Sequence, residues 1–256
     1  MNTIYGCDSI QGPVDITFFV ACYNEENGII PSLEAIRRAV ALANVTHDVI
    51  VIDDGSRDKS VELIQQYKKE NPEQPVVLVV NQKNRGLASN YVDAAFLGKG
   101  RYFRLVSGDD VEPAENIAVH LGLLGKAGML LTDPVVVTGK SPLRKCISRL
   151  FVALVNSIAG FRLPYWNGPV THLRENVLRW HSCSRGFGYQ AELVHMLLVE
   201  GESFHISEGH FHEREAGQAT ALTLKNLWSV FCSLCLIAAH RIEAKLFKCN
   251  RRPVSE

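Results

Sequence analysis

The sequence has no excess of charge of either sign: 27 lysine and arginine residues balance 27 aspartate and glutamate residues among 256. A general nucleic-acid-binding protein carries a basic excess on one face, so this balance argues against that class. The seven cysteines are odd in number and scattered, without the paired spacing of a metal site. We therefore expect reduced thiols, as in a cytosolic protein.

Long apolar runs are also missing. A membrane-spanning helix needs roughly 20 apolar residues. The nearest candidate, residues 227–239, is shorter and contains Ser229 and Ser233. The first fourteen residues lack the basic start and apolar stretch of a signal peptide. We expect a cytoplasmic protein that is soluble or rests peripherally on the inner face of a membrane.

Three motifs of other enzyme classes are absent. There is no G-x-x-x-x-G-K-[ST] loop and no G-x-G-x-x-G after a predicted strand, which argues against P-loop nucleotidases and dinucleotide dehydrogenases. There is no G-x-S-x-G turn, which argues against a serine hydrolase of the α/β type.

Strand and helix patterns alternate in the N-terminal half. Apolar runs predict buried strands, and amphipathic spacing predicts helices between them. The predicted strands are 16–21, 48–52, 75–80 and 101–106, and the helices are 33–43, 60–69 and 88–97. This alternation predicts an α/β fold with a mostly parallel sheet covered on both faces. The less regular C-terminal half predicts a strand at 135–137, an extended segment at 205–214 and helices at 143–159, 190–200 and 222–248.

Polar clusters follow directly after the predicted strands. Ligands of open α/β sheets bind at the carboxyl ends of the strands, so these clusters are expected to form a site. Asp53 and Asp54 follow the second strand, and a carboxylate there can accept hydrogen bonds from a nucleobase or a ribose hydroxyl. The alternative is a turn in which an aspartate caps the next helix.

A second acidic cluster, Ser107-Gly108-Asp109-Asp110, follows the fourth strand. Hard divalent cations such as Mg²⁺ prefer carboxylate oxygens and often bridge substrate phosphates. A metal held here would neutralise charge on a leaving diphosphate. The alternative is an acidic turn before Pro113.

Together these motifs resemble the inverting glycosyltransferases of family 2, which have the GT-A fold. Residues 21–25 read A-C-Y-N-E against that family's P-x-Y-N-E, with Ala21 in place of proline. Residues 51–58 contain V-I-D-D-G-S-x-D, and residues 84–88 resemble N-x-G-x-x-x-A through Gly86. The segment Ser107 to Asp109 stands where the family's D-x-D metal motif belongs.

The resemblance implies roles for these residues. Tyr23, Glu25 and Asp53 would line the base and ribose of the nucleotide, and Asp109 would be the main ligand of Mg²⁺ or Mn²⁺. Ser107 replaces the first acid of D-x-D, which leaves one carboxylate fewer unless Asp110 compensates. The other matched positions are assigned to the nucleotide-sugar site: Ala21, Asp54, Gly86 and Ser107.

The C-terminal half has a narrower resemblance, to the polyprenyl- and dolichyl-phosphate sugar (mannosyl) transferases. Residues 186–193 are similar to their G-F-x-x-Q-x-E-L segment, and residues 212–217 to their H-x-R-x-x-G segment. Lys140 stands near their G-S-R, in place of arginine. The resemblance implies that Lys140 and Arg214 hold phosphates.

A chemical argument favours a phosphate over a hydroxyl as the acceptor group. Transfer to a hydroxyl needs a general base, and relatives that act on hydroxyls carry an aspartate where Gln190 aligns here. Glutamine cannot take a proton at neutral pH, whereas an acceptor phosphate is already ionised and needs cations. Glu192 is the alternative base if the alignment is displaced by two residues.

The sequence thus predicts a GT-A core at residues 14–140 and, in the same catalytic domain, an acceptor-side region with amphipathic helices at 141–256. The predicted activity is metal-dependent, inverting transfer of a sugar from a UDP- or GDP-sugar to a polyprenyl phosphate. Transfer to a glycan hydroxyl and an inactive nucleotide-sugar-binding protein are the alternatives. Two basic, apolar helices, at 143–159 and 222–248, suit an anionic membrane surface or ordinary packing.

Overall fold

An eight-stranded sheet forms the centre of the computed structural model, which describes residues 3–5, 12–109, 112–138, 142–180, 188–212 and 224–246. Its strands are β1 (Thr3–Tyr5), β2 (Val14–Cys22), β3 (His47–Asp53), β4 (Val76–Val80), β5 (Gly100–Ser107), β6 (Met129–Thr138), β7 (Val170–Leu173) and β8 (Phe204–His212). They lie in the order β1-β4-β3-β2-β5-β7-β6-β8.

The four strands predicted in the N-terminal half, β2 to β5, are parallel to their neighbours in this group. β1 and β7 run antiparallel to the strands beside them, whereas β6 and β8 are parallel to each other. The predicted α/β fold with a mostly parallel sheet is therefore confirmed. Because β7 lies between β5 and β6, strands from beyond residue 140 complete the same sheet.

Helices cover both faces of the sheet: α1 (Ile29–Ala43), α2 (Ser60–Glu70), α3 (Leu87–Leu97), α4 (Ala114–Leu121), α5 (Pro142–Ala159), α6 (Arg174–Leu178), α7 (Tyr189–Glu200) and α8 (Leu224–Leu246). Phe18 and Val20 pack in the core with α1, α2 and α4, while Phe19 packs in the core with α3, α5, α7 and α8. Burial on both faces explains why the strands read as continuous apolar runs. Among the described residues, no helix is both long and apolar enough to cross a membrane.

Four short elements, β1, α4, β7 and α6, were not predicted from the sequence. β7 has only four residues, too few to show a periodic pattern, and pairing with β5 on one side and β6 on the other holds it in place. β6 begins six residues before the predicted strand at 135–137. Thr132, Asp133 and Pro134 interrupt its apolar pattern, and its pairing with β8 is irregular after Pro134.

The polar clusters meet at the carboxyl ends of β2, β3 and β5, which we call the carboxyl edge. Cys22 pairs with Asp53, and Ala21 pairs with Ser107. The two acidic clusters therefore flank the end of β2, as the sequence predicts for parallel strands.

Candidate active site

Asp53 ends β3 at the carboxyl edge and is fully buried. Its Oδ1 accepts hydrogen bonds from the backbone N–H groups of Gly55 at 3.2 Å and Ser56 at 3.1 Å. Its Oδ2 is buried and has no hydrogen-bond partner within the described structure. A buried oxygen without a partner is costly, so Oδ2 is an atom that a bound hydroxyl or N–H group would satisfy.

Asp54 is bonded to the loop that leads into α3. Its Oδ1 accepts hydrogen bonds from the side chain of Asn81 and the backbone N–H of Arg85, both at 2.8 Å. Its Oδ2 accepts one from the backbone N–H of Gly86 at 2.9 Å. Gly86 has φ of +87°, a conformation that favours glycine, and it precedes the first residue of α3. Asp54 therefore holds this loop against the carboxyl edge.

The loop after β2 is fastened to the loop after β3. The backbone N–H of Asn24 donates to Ser56 Oγ at 2.9 Å. The backbone N–H of Glu25 donates to Ser60 Oγ at the same distance. This clamp leaves the Tyr23 side chain 48% exposed and Glu25 half-buried. Tyr23 and Glu25 thus lie at the rim of the site beside Asp53.

The acidic loop, residues 108–113, begins in contact with β2 and α1. The backbone N–H of Gly108 donates to the Ala21 carbonyl at 3.0 Å. The hydroxyl of Ser32, on α1, donates to the Ser107 carbonyl at 3.0 Å. The start of the loop is therefore fixed by backbone groups of Ala21 and Ser107 rather than by their side chains.

The first turn of α1 packs directly on this loop. A Cβ atom on Gly28 would lie 2.6 Å from the Gly108 carbonyl oxygen and 2.8 Å from Asp109 Cα. Only a residue without a side chain allows this approach. The contact places Asp109 beside the N-terminal end of α1, where backbone N–H groups favour negative charge.

Asp109 is suited to a divalent cation. Its Oδ1 is buried and has no hydrogen-bond partner among the described residues, so an unsatisfied hard oxygen ligand stands at the carboxyl edge. Asp110 lies outside the described residues. In the part of the chain that is described, no three His, Cys, Asp or Glu side chains are grouped to hold a metal. An ion here would take its remaining ligands from a bound diphosphate and water, as Mg²⁺ commonly does.

The two polar residues predicted at the start of α7 are engaged inside the protein. Gln190 is buried, and its amide donates to Nε2 of His172 on β7 at 3.2 Å. Burial lowers the pKa of His172 to about 3, so this imidazole is neutral and accepts. Glu192 is also buried, and its Oε1 accepts a hydrogen bond from Ser233 of α8 at 2.5 Å. Catalytic roles for Gln190 and Glu192 stay predictions.

The two predicted phosphate ligands, Lys140 and Arg214, lie outside the described residues. The described chain ends at Thr138 on β6 and at His212 on β8, two residues before each of them. These strands are parallel neighbours, and Thr138 pairs with His212. The described parts of β6 and β8 thus stop at the same end of the sheet.

An acidic pair beside the carboxyl edge was not predicted from the sequence. Arg104 of β5 and Leu130 of β6 both pair with Thr171 of β7. Ser107 and Asp133 each lie three residues further along these strands, which run in the same direction. Asp133 is therefore at the height of Ser107 on the sheet, about 10 Å to the side, because two strand spacings separate them.

Ser107 and Asp133 also face the same side of the sheet. Arg104 and Thr132 both contact His120 of α4, so their side chains point to the face that α4 covers. Side chains along a strand alternate between the two faces of the sheet. Ser107 is three residues from Arg104, and Asp133 is one residue from Thr132. Both therefore point to the opposite face, the one covered by α3, α5 and α7.

Asp133 pairs directly with Glu208 of β8. Burial raises the pKa of the Asp133 carboxyl, and the negative charge of Glu208 raises it further. Two carboxylates side by side resist simultaneous ionisation, so one of them holds a proton more readily. The sequence signal was the isolated Thr-Asp-Pro inside an apolar run, but pairing with Glu208 requires the β6–β8 register.

Comparison with known families identifies the chain's relatives. The profile described as "Glycosyl transferase family 2" matches residues 17–183. The match covers β2 to α6, including the carboxyl edge, both acidic clusters and the acidic loop.

Two curated proteins illustrate the range of relatives. A poly-beta-1,6-N-acetyl-D-glucosamine synthase of Staphylococcus aureus is 38% identical over 82 residues, which are 32% of this chain and 18% of that protein. A dolichyl-phosphate beta-glucosyltransferase of Trichomonas vaginalis is 27% identical over 161 residues, covering 56% of this chain and 47% of that protein. The chain thus spans less than half the length of each of these relatives.

Solved structures with the same fold include two enzymes with bound nucleotide and metal. Glucosyl-3-phosphoglycerate synthase of Mycobacterium tuberculosis, in complex with Mg²⁺ and UDP, superposes with a TM-score of 0.64 at 16% identity, over 88% of this chain and 80% of that one. A mannosyltransferase of Pyrobaculum calidifontis, in complex with GDP-mannose and Mn²⁺, has a TM-score of 0.58 at 16% identity, over 92% and 79%. At this identity the likeness shows the fold alone.

Proposed function

The chain belongs to glycosyl transferase family 2, and we propose that it transfers a sugar from a nucleotide-sugar donor to a polyprenyl phosphate with help from Mg²⁺ or Mn²⁺. One observation carries the donor half of this proposal. Two buried carboxylate oxygens, Asp53 Oδ2 and Asp109 Oδ1, have no partner in the described structure and flank the end of β2. A nucleotide diphosphate with its metal supplies a hydroxyl donor for one and a cation for the other.

The donor would be held by residues at the rim and the edge. Asp53 Oδ2 would accept a hydrogen bond from the base or ribose, beside the exposed Tyr23 ring and Glu25. Asp109 would hold the metal, whose positive charge stabilises the leaving diphosphate. In the reaction an acceptor oxygen bonds to the anomeric carbon as the bond from that carbon to the diphosphate breaks, with inversion of configuration.

The support for a phosphate acceptor comes from the types of residue present rather than from a contact that the structure describes. Gln190 stands where a base is expected for hydroxyl acceptors, and its amide is occupied by His172. An ionised phosphate needs no base, and Lys140 and Arg214 are the cations that would hold it. The similarity to a dolichyl-phosphate beta-glucosyltransferase agrees with this acceptor class.

A glycan hydroxyl is the second candidate, and the Asp133–Glu208 pair favours it. These carboxylates lie at the height of Ser107 and face the same side, where an acceptor would approach the donor sugar. One ionised carboxylate could take the proton of an attacking hydroxyl. The negative charge of this pair would also oppose binding of an acceptor phosphate.

We also propose peripheral contact with a membrane through α5 and α8, because a polyprenyl acceptor is embedded in lipid. Ile147, Leu150 and Leu154 form an exposed apolar stripe on α5 at the spacing of one helix face. On α8, Ile242 and Leu246 are exposed in the same way. Such faces can lie in a membrane interface when basic residues accompany them.

The first experiment is sugar transfer from UDP- and GDP-sugars to a detergent-dispersed polyprenyl phosphate, with Mg²⁺, Mn²⁺ or a chelator. We expect a lipid-linked sugar that forms only with metal. Asp109→Asn should lower kcat/KM by about 100-fold or more, because it removes a metal-binding carboxylate and leaves a weaker amide ligand. Asp93→Asn, on the exposed side of α3, is the matched control and should keep its activity.

A parallel reaction with glycan acceptors separates the two candidates. If sugar appears on glycan and Asp133→Asn abolishes that transfer, the hydroxyl acceptor replaces the phosphate. If nucleotide binds but neither product forms, the chain is a nucleotide-sugar-binding protein and the proposed activity is wrong.

A further inference from the structure

A buried polar network lies under the acidic loop and plays no part in the chemistry described above. Arg104 lies in the middle of β5, where it pairs with Phe18 of β2. Its charged side chain is fully buried. Its Nη2 donates to the carboxylate of Glu112, which is 4% exposed. Its Nη1 donates to Thr171 Oγ1 and to Nδ1 of His120, each at 2.9 Å.

His120 extends the network to β6 and β8. Because arginine can only donate, the Nδ1 of His120 must accept, and its proton is on Nε2. Nε2 lies 2.8 Å from Thr132 Oγ1 on β6 and 2.9 Å from Ser207 Oγ on β8. Burial, reinforced by the charge of Arg104, lowers the pKa of His120 to about 2, so the imidazole stays neutral. The network therefore has one fixed arrangement of donors and acceptors at neutral pH.

The network fixes the far end of the acidic loop. The loop begins where Gly108 is bonded to Ala21, and Glu112 is bonded to Arg104 one residue before Pro113 and α4. Only residues 109–111 lie between these two anchors. Asp109 therefore follows directly after the anchored Gly108, and Glu112 is anchored three residues later.

The helix that follows the loop is bonded to β8. The Asn116 side chain donates to the backbone carbonyl of His210 and accepts from its N–H at 3.2 Å. β8 ends at His212, two residues before the predicted phosphate ligand Arg214. One helix, α4, thus connects the acidic loop with β8.

We propose that Arg104 is a positioning residue of this active site: through Glu112 it sets the acidic loop that carries Asp109, and through His120 it sets that loop relative to β6 and β8. This inference rests on the proposed function, because it assumes that Asp109 binds the metal of the donor complex. A role in stability alone is a weaker explanation. Apolar residues of similar volume often replace a buried ion pair without loss of stability. The stability of this buried region therefore does not by itself require an ion pair.

The test removes both charges together. The double variant Arg104→Met/Glu112→Leu leaves no unpaired buried charge and should melt near the wild-type temperature. We expect the Mn²⁺-dependent affinity for UDP or GDP, measured by titration calorimetry, to fall about 10- to 100-fold, the usual effect of losing the groups that orient a metal ligand. Affinity for the nucleotide without metal should stay as in the wild type. Hydrogen exchange in peptides that span 105–115 should become faster.

Two further variants keep the test decisive. Val177→Ala, on the buried face of α6, is a destabilised control that should leave metal-dependent affinity unchanged. Arg104→Lys keeps the charge but cannot reach both Glu112 and His120, so its affinity and loop exchange should lie between those of the wild type and the double variant. It carries the test if the double variant does not fold.

Wild-type affinity and wild-type loop exchange in the double variant, or in Arg104→Lys if the double variant does not fold, would overturn the proposal. A wild-type chain that binds neither nucleotide would instead count against the proposed function. The exchange measurement needs no nucleotide, so unchanged exchange would still overturn the positioning role, and faster exchange confined to the loop, α4 and β8 would support it.

Discussion

Asp53 and Asp54 are adjacent in the chain, yet their carboxylates have different surroundings. Asp53 uses one oxygen for the turn that follows β3 and keeps the other buried without a partner in the described structure. Asp54 uses both oxygens, for Asn81, Arg85 and Gly86. The first is therefore suited to bind a ligand and the second to hold the loop before α3.

Asparagine substitutions should separate these two roles. In Asp53→Asn the amide oxygen can keep the bonds to the turn, but the free acceptor becomes a donor. We expect nucleotide affinity to fall about tenfold or more, as for the loss of a hydrogen bond to a charged group, with little change in melting temperature. In Asp54→Asn the new NH₂ group faces a backbone N–H, which should lower the free energy of unfolding by about 1–3 kcal/mol.

Calorimetric titration with nucleotide and thermal unfolding of both variants provide the measurements. Equal losses of affinity and equal losses of stability in the two variants would contradict the assignment. The resemblance assigned Asp53 to the base and ribose and placed Asp54 in the same site, but it did not predict that Asp54 holds the loop before α3. The difference depends on how the loop at residues 81–86 folds over Asp54.

At the scale of elements, the N-terminal end of α1 packs closely on the acidic loop. The strands β2 to β5 and helices α1 to α3 could be predicted to within a few residues, because apolar runs and amphipathic periods are local signals. β7 and the burial of Arg104 could not be predicted from such local signals. β7 depends on its two neighbouring strands, and the burial of Arg104 depends on His120 of α4 and on Glu112 in the loop before that helix.

Gly28→Ala tests the contact between α1 and the loop. The new Cβ would meet backbone atoms of Gly108 and Asp109 at 2.6–2.9 Å, so the loop must move. We expect a loss of about 1–3 kcal/mol in the free energy of unfolding, as for other overpacked sites, together with weaker Mn²⁺-dependent nucleotide binding.

Gly122→Ala is the matched control, because its Cβ would come no closer than 3.5 Å to a neighbouring atom and its φ is −67°. It should be neutral in thermal unfolding and in nucleotide binding. The proposed contact would be wrong if the two alanine variants behaved alike.

At the scale of the whole molecule, α5 and α8, the helices proposed to touch a membrane, are bonded to each other. Arg241 of α8 donates to the carbonyls of Ser157 at 2.7 Å and Ile158 at 2.8 Å, in the last turn of α5. A cation at a helix C-terminus is favourable, so this contact also stabilises α5. Earlier in α8, the Ser233 hydroxyl donates a hydrogen bond to the buried Glu192 of α7. Residues of α5, α7 and α8 also pack in one hydrophobic core.

Membrane contact can be tested with vesicles that contain the anionic lipid phosphatidylglycerol. Leu150 and Leu154 are 66% and 49% exposed on α5, and burying each in lipid would contribute about 1.5–3 kcal/mol. Leu150→Asp/Leu154→Asp should therefore reduce vesicle binding by about 100-fold or more in a flotation assay. Leu42→Asp, at a leucine that is 69% exposed on α1, is the control and should bind as the wild type does. If both variants bind equally well, or if the wild type does not bind, the apolar face of α5 does not contact lipid, and a polyprenyl acceptor would have to reach the carboxyl edge without it.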